Sequence, residues 1–199
     1  MNLSKKSVLN LGRLFAITSL LAFSSYSFSG ELHPIVDDFS NVESNNLGIP
    51  RQFIDDKMAG GKTQTAIKIS EGKLQIKGEI VPPRGQPGWA SSVLLLNDKG
   101  LPQDVSNFEG VRLLIKLNKG SISVSANSAE VINYDYHAAM VTVQSDGKFH
   151  EVKVPFTSMK RAWSEQTQLN TTTISGLSIV SFGMQPTHFD FEIDEVGFY

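Results

Sequence analysis

Four isolated histidines, adjacent acidic pairs such as Asp55-Asp56 and Asp194-Glu195, a serine before a glycine and a Gly-Lys-Thr tail are the residues first weighed for chemistry in this chain. His33, His137, His150 and His188 lack the i, i+4 spacing that puts two imidazoles on one face of a zinc-binding helix. Ser175 precedes Gly176, but Thr173 stands where a nucleophile elbow needs its first glycine. Asp55-Asp56 and Asp194-Glu195 recruit the idea of glycoside hydrolysis, which needs two carboxylates roughly 5–9 Å apart across a cleft. Acids adjacent in sequence fit turns and strand ends better. The segment Ala59-Gly60-Gly61-Lys62-Thr63 ends like a phosphate loop, yet Asp56 occupies the position of the required earlier glycine and the following residues alternate like a strand. No nucleotide and no cofactor is expected, and no catalytic residue is assigned. Asp55 and Asp56 are expected to bond nearby amides in a turn, with the glycines supplying backbone freedom.

Binding is better represented than catalysis. Tyr134, Tyr136 and His137 fall in one strand-like segment, and Arg161 and Trp163 follow Val154-Pro155-Phe156. Residues two apart in a strand share a face, so the two tyrosines should form a flat, partly polar platform for a sugar ring or an aromatic partner. Asp135 and His137 then point the other way. Arg161 is expected to stay hydrated and stack on the platform, and Trp89, after Pro87-Gly88, to sit at its rim. The expected partner is a protein or a glycan.

These side chains need strands to position them. Apolar residues recur with period two between Gly, Asn, Asp and Pro turns. Thr65 to Ile69 and Leu74 to Ile80 read as a hairpin about Ser70-Glu71-Gly72. Val111 to Leu117 and Ser121 to Ser125 read as a second, turning at Asn118-Lys119-Gly120. Further strands are expected at Trp89 to Leu96, Tyr134 to Val143, Phe149 to Phe156, Ile174 to Phe182 and His188 to Tyr199. Nine or ten short strands without a long amphipathic helix predict an all-β, jelly-roll-like β-sandwich.

At the N-terminus, Lys5, Lys6 and Arg13 precede a ten-residue apolar run from Leu14 to Phe23. The run is short of the roughly 20 residues that span a bilayer, so no permanent membrane anchor is expected. Ser27 and Ser29 supply a small-x-small site, which predicts a signal peptide over 1–29, cleavage after Ser29, one domain over 30–199, and a periplasmic or secreted location. The first 29 residues hold three bases and no acid, so the net charge of −2 becomes −5 beyond them. An acidic surface repels phosphate backbones, and no nucleic acid is expected as partner. The chain has no cysteine, so thiol chemistry and disulfides are excluded. Asp38 and Asp194 could meet if the terminal strands pair, but calcium needs 6–8 oxygens and no metal is assigned.

Several segments in order resemble the complex I intermediate-associated protein family. They are Asp37-Asp38-Phe39, Ile54 to Thr63 with its Asp-x-x-Met and paired glycines, Gly88-Trp89-Ala90-Ser91, Asp104 to Leu113, Tyr134 to His137, Val152 to Phe156, and Phe191 to Val196. The resemblance implies a galactose-binding-like jelly roll, similar to carbohydrate-binding modules, with non-enzymatic roles such as assembly of NADH:ubiquinone oxidoreductase in mitochondrial members. Ala59 departs from the family pattern by intruding before the glycines. An export signal would separate this chain from that assembly line, so the fold is carried over and the partner is not. A role as a binding or assembly protein of the bacterial envelope is expected, with a carbohydrate-binding module as the alternative.

Overall fold

The computed structural model describes residues 32–199, and the expected signal peptide and its cleavage site lie outside them. Twelve strands make up the described chain: β1 (Ile35–Asp37), β2 (Gln52–Asp55), β3 (Gln64–Ser70), β4 (Lys73–Ile80), β5 (Gly88–Leu95), β6 (Gly110–Lys119), β7 (Ile122–Ser128), β8 (His137–Met140), β9 (His150–Pro155), β10 (Lys160–Arg161), β11 (Ile174–Gly183) and β12 (Thr187–Phe198). The first sheet runs β3-β4-β12-β6-β9, with β1 also on β12. The second runs β10-β8-β7-β11-β5-β2. All pairs are antiparallel. This is the jelly-roll sandwich that the alternation predicted.

The alternation also sets the core. Leu113, Ile115, Phe191 and Ile193 from the first sheet meet Leu94, Ile122, Val124, Leu177 and Ile179 from the second, all essentially inaccessible to solvent. Each such side chain contributes about 1.5–3 kcal/mol by leaving water. Arg51, just ahead of β2, is clamped bidentately to Asp37 of β1, at 2.6 and 2.7 Å, and links the two sheets.

The first expected hairpin is present as β3-β4, in register from Gln64–Glu79 to Ser70–Lys73. The second is not a hairpin. β6 and β7 lie in opposite sheets, and Gly120 at φ +89° turns the chain from one to the other. Both strands carry a full apolar face, Val111, Leu113, Ile115 and Leu117 against Ile122, Val124 and Ala126, and crossing the sandwich lets the two faces meet. A side chain at Gly120 would meet Phe189 Cβ at 3.0 Å and the His188 carbonyl oxygen at 3.2 Å, so the corner also needs the space that glycine leaves.

Candidate functional site

The two outward sheet faces differ in kind. On the first sheet the outward positions carry many charges of both signs: Lys116 pairs with Glu192 at 2.5 Å, Arg112 with Glu151 and Glu195, and Asp190 lies between Lys77 and Lys119. A shallow depression of about 580 Å³ on this face is lined in part by Lys77, Glu79, Lys119 and Asp190. It is a solvated face.

On the second sheet, strand alternation turns Gln52 and Ile54 of β2, Trp89, Ser91, Val93 and Leu95 of β5, and Ser178, Val180 and Phe182 of β11 outward. Ser123, Ser125 and Asn127 of β7, Ala138 and Met140 of β8, and Lys160 of β10 share that side. Lys160 is the one charged residue among these strand positions. Ser91, Ser123, Ser125 and Ser178 are only 2–8% exposed although they point away from the core. Their hydroxyls form a recessed floor. Asn127 Nδ2 donates to Ser178 Oγ at 2.8 Å, and Ser125 Oγ donates to Asn127 Oδ1 at 3.2 Å, fixing the floor's centre.

Aromatic residues bound this floor at two corners. At one, Trp89 sits directly across from Phe182. The turn beside it is held by Asp56, whose carboxylate is fully buried and accepts from Thr63 N at 3.1 Å, Thr63 Oγ1 at 2.7 Å and Trp89 N at 3.2 Å. The expected amide-bonding turn is therefore present, and Asp55 caps the short 3-10 turn through Lys57 N. The paired glycines follow physically: Gly60 has φ +85°, and a Cβ on Gly61 would stand 2.2 Å from Asp56 Cγ. Met58, 77% exposed, crowns this turn.

At the opposite corner the organising residue is Asp135, which sequence reasoning treated only as the alternate of two tyrosines. Oδ1 accepts from Tyr136 N at 2.8 Å and Ala162 N at 3.0 Å. Oδ2 accepts from Arg161 Nε at 2.9 Å, Ser164 N at 3.0 Å and Ser164 Oγ at 2.5 Å. Burial pushes this carboxyl up, but the bonds from Ser164, Arg161 and the backbone amides outweigh it and hold the group well below the usual carboxylate range. The 133–136 and 161–164 segments are locked together as a result.

Three expectations need correcting here, the first being Trp89 at the platform's rim: Trp89 lies on β5, three strands away from β8. Tyr134 and Tyr136 do not share a strand, because β8 starts at His137 and Tyr134 takes φ +61°. A left-handed conformation costs a bulky residue about 1–2 kcal/mol, and it leaves the Tyr134 ring 94% exposed. Arg161 does not stack on exposed aromatics either. Its side chain is 10% exposed and bonds Asp135, Asn133 Oδ1 and Ser164 Oγ, since a buried Asp135 offers it a full counter-charge. His137 faces inward, 2% exposed, with Nε2 donating to the Thr167 carbonyl at 2.9 Å. What remains on the surface is Tyr134, together with Tyr136 and Trp163 packed edge-to-face at 5.4 Å. Burial, then the Asp135 charge, push the Tyr136 hydroxyl above its ordinary value.

Tyr136 precedes β8 in phase with outward Ala138, which puts the pair at the corner diagonal to Trp89. Three strand spacings of about 4.8 Å and six residues of about 3.3 Å separate them, roughly 24 Å corner to corner.

The groups first weighed for chemistry are dispersed. Asp56 is enclosed while Asp55 pairs with Lys57, Glu195 pairs with Arg112, Ser175 Oγ donates to the Asn127 carbonyl, and His150 bonds Asp146 on a turn. Among the described residues no three His, Asp or Glu are grouped to hold a metal, and no helix is long and apolar enough to cross a membrane.

The family model of complex I intermediate-associated protein 30 (CIA30) matches residues 40–193. The chain belongs to the CIA30 family. Both carboxylate hubs fall inside the matched span. No curated protein matches it in sequence. Similar solved structures include the family 11 carbohydrate-binding module of the cellulosomal cellulase Lic26A-Cel5E of Clostridium thermocellum, at TM-score 0.58 and 16% identity over 82% of this chain and 92% of that one. The same organism's family 11 module in complex with a β-1,3-1,4-mixed-linked tetrasaccharide gives TM-score 0.57 and 16% identity over 83% and 94%. The agarase AgWH50C gives 0.53 at 9% identity over 82% of this chain and 24% of that chain. At these identities the likeness is one of fold. CIA30 membership points to a role in binding or assembly.

Proposed function

We propose that this CIA30-family chain is an exported, non-catalytic binding module of the cell envelope, and that it takes a neutral glycan on the outward face of the second sheet. The carrying observation is the contrast between the two outward faces. An antiparallel sheet that only meets water carries charge on its wet side, as the first sheet does. The second shows recessed hydroxyls ending in aromatic corners, the combination that stacks on sugar rings and bonds their hydroxyls. The contact residues are Tyr134, Tyr136, Trp163 and Trp89, with Arg161 and His137 as supports behind them. Export rests on the charge-then-apolar order before Ser29. Affinity electrophoresis in mixed-linked β-glucan tests the reading: wild type should be retarded and Tyr136→Ala/Trp163→Ala should not. Unretarded wild type across neutral glucans, galactans and xylans would sink it.

A second reading is a protein-docking assembly factor, favoured by Ile132, Tyr134 and Trp163 at 89%, 94% and 62% exposure on one corner. Apolar surface of that extent marks interaction sites. Its signature is a stoichiometric complex that survives gel filtration and is lost in Ile132→Ser/Tyr134→Ser.

A further inference from the structure

We propose that the face is a two-ended site that reads ligand length: an extended neutral glycan chain must reach both the Trp89–Phe182 corner and the Tyr136–Trp163 corner to bind tightly. This rests on the glycan reading above and adds to it the ligand's shape. The argument begins with the spacing. The aromatic corners lie roughly 24 Å apart on the strand register, with a floor of Ser91, Ser178, Ser123 and Asn127 between them that offers hydroxyls and an amide but no large ring. A single sugar can touch one corner only. A chain that crosses the floor can touch both.

The separation is also fixed. Each corner is tied to a buried carboxylate that cannot be relaxed cheaply, Asp56 at one and Asp135 at the other. Asp56 bonds the Trp89 amide itself, and Asp135 bonds the amides of Tyr136, Ala162 and Ser164, the residues around Trp163. Strands β5, β11, β7 and β8, continuously hydrogen-bonded, join the two. A site with rigid ends cannot shrink onto a short ligand, so preorganisation favours the ligand that spans it. The absence of charge along the outward strand positions, Lys160 aside, selects against anionic chains needing several cations.

The chain's two tryptophans sit one at each corner, which makes the idea directly measurable. In Trp163→Phe, emission comes from Trp89 alone, and in Trp89→Phe from Trp163 alone. Each variant is titrated with mixed-linked β-glucan oligosaccharides of increasing length, with calorimetry on wild type alongside. The expected result is that a chain long enough to span shifts both reporters at one common midpoint, and that affinity rises about tenfold on reaching that length and then levels, since a second aromatic contact is worth that order. Binding that is flat with length, or a long chain that moves one reporter only, overturns the two-ended site and leaves the glycan reading standing. Absence of any heat and any shift overturns both.

Discussion

Replacing Asp135 with asparagine tests the hub under the aromatic corner. The carboxylate accepts five bonds, from three backbone amides, the Ser164 hydroxyl and the Arg161 guanidinium. An asparagine can keep its oxygen toward the Tyr136 and Ala162 amides, but its NH2 then faces Ser164 N–H and Arg161 Nε–H, donor against donor. Arg161 also loses its counter-charge while only 10% exposed. Removing one partner of a buried pair costs about 3–5 kcal/mol, and because Arg161 retains Asn133 and Ser164 the lower end, about 3 kcal/mol, is expected. Urea unfolding should show a lower midpoint with an unchanged slope, since domains of this size hold about 5–15 kcal/mol and the variant still folds. Acid titration gives an independent check. Asp135 is held below its ordinary value, so its contribution is complete above the unfolded carboxylate value of about 3.9 and is lost as pH falls below it. Wild type should therefore lose stability below about pH 4 more steeply than Asp135→Asn, with little difference in slope between pH 5 and 8. A loss under about 1 kcal/mol in urea would refute the hub.

Gly61→Ala should cost about 1–3 kcal/mol in urea, because its methyl would overlap the enclosed Asp56 carboxylate; an unchanged midpoint would show that the turn yields. Tyr136→Ala/Trp163→Ala should lose about 1–2 kcal/mol, the edge-to-face pair plus the partly buried area of Tyr136, while glycan retardation disappears; a collapse in stability would make the pair packing rather than a binding surface. Intact-mass analysis of the protein from the producing cell's envelope should give a chain starting near Gly30, and an intact Met1 form would overturn export.

The sandwich was legible because strand alternation records which side is buried, and β3, β4, β5, β9, β11 and β12 all fall where alternation put them. β1, β2 and β10 escaped because two to four residues are too few to show a period. The tyrosine platform failed for a related reason. Tyr134, Asp135 and Tyr136 alternate apolar with polar like a strand, yet an aspartate that can collect five donors makes a knot more favourable than a ladder. The signal for the knot was present as Asp135, Arg161 and Ser164, but its members are 26 and 29 residues from the aspartate, and only the fold brings them together.

The contrast between the two outward faces is written in the sequence in a form that periodicity alone cannot decode. Outward positions of β4, β6 and β12 hold Lys77, Lys116, Arg112, Asp190 and Glu192, whereas those of β5, β7 and β11 hold serines, Asn127, Val93, Val180, Trp89 and Phe182. Summing charge over one face requires knowing which strands share a sheet, and adjacency in sequence misleads at the point that matters. Gly120 looks like a hairpin turn between β6 and β7 but is a corner between sheets, so pairing those strands mixes a charged face with an uncharged one and the difference averages away. Once the corner is placed, the uncharged face becomes the exception that needs a reason. Trp163 is left 62% exposed and Trp89, Phe182 and Tyr136 only partly buried, so this face leaves aromatic surface in contact with water where the first sheet leaves charge, the pattern on which the binding proposal rests.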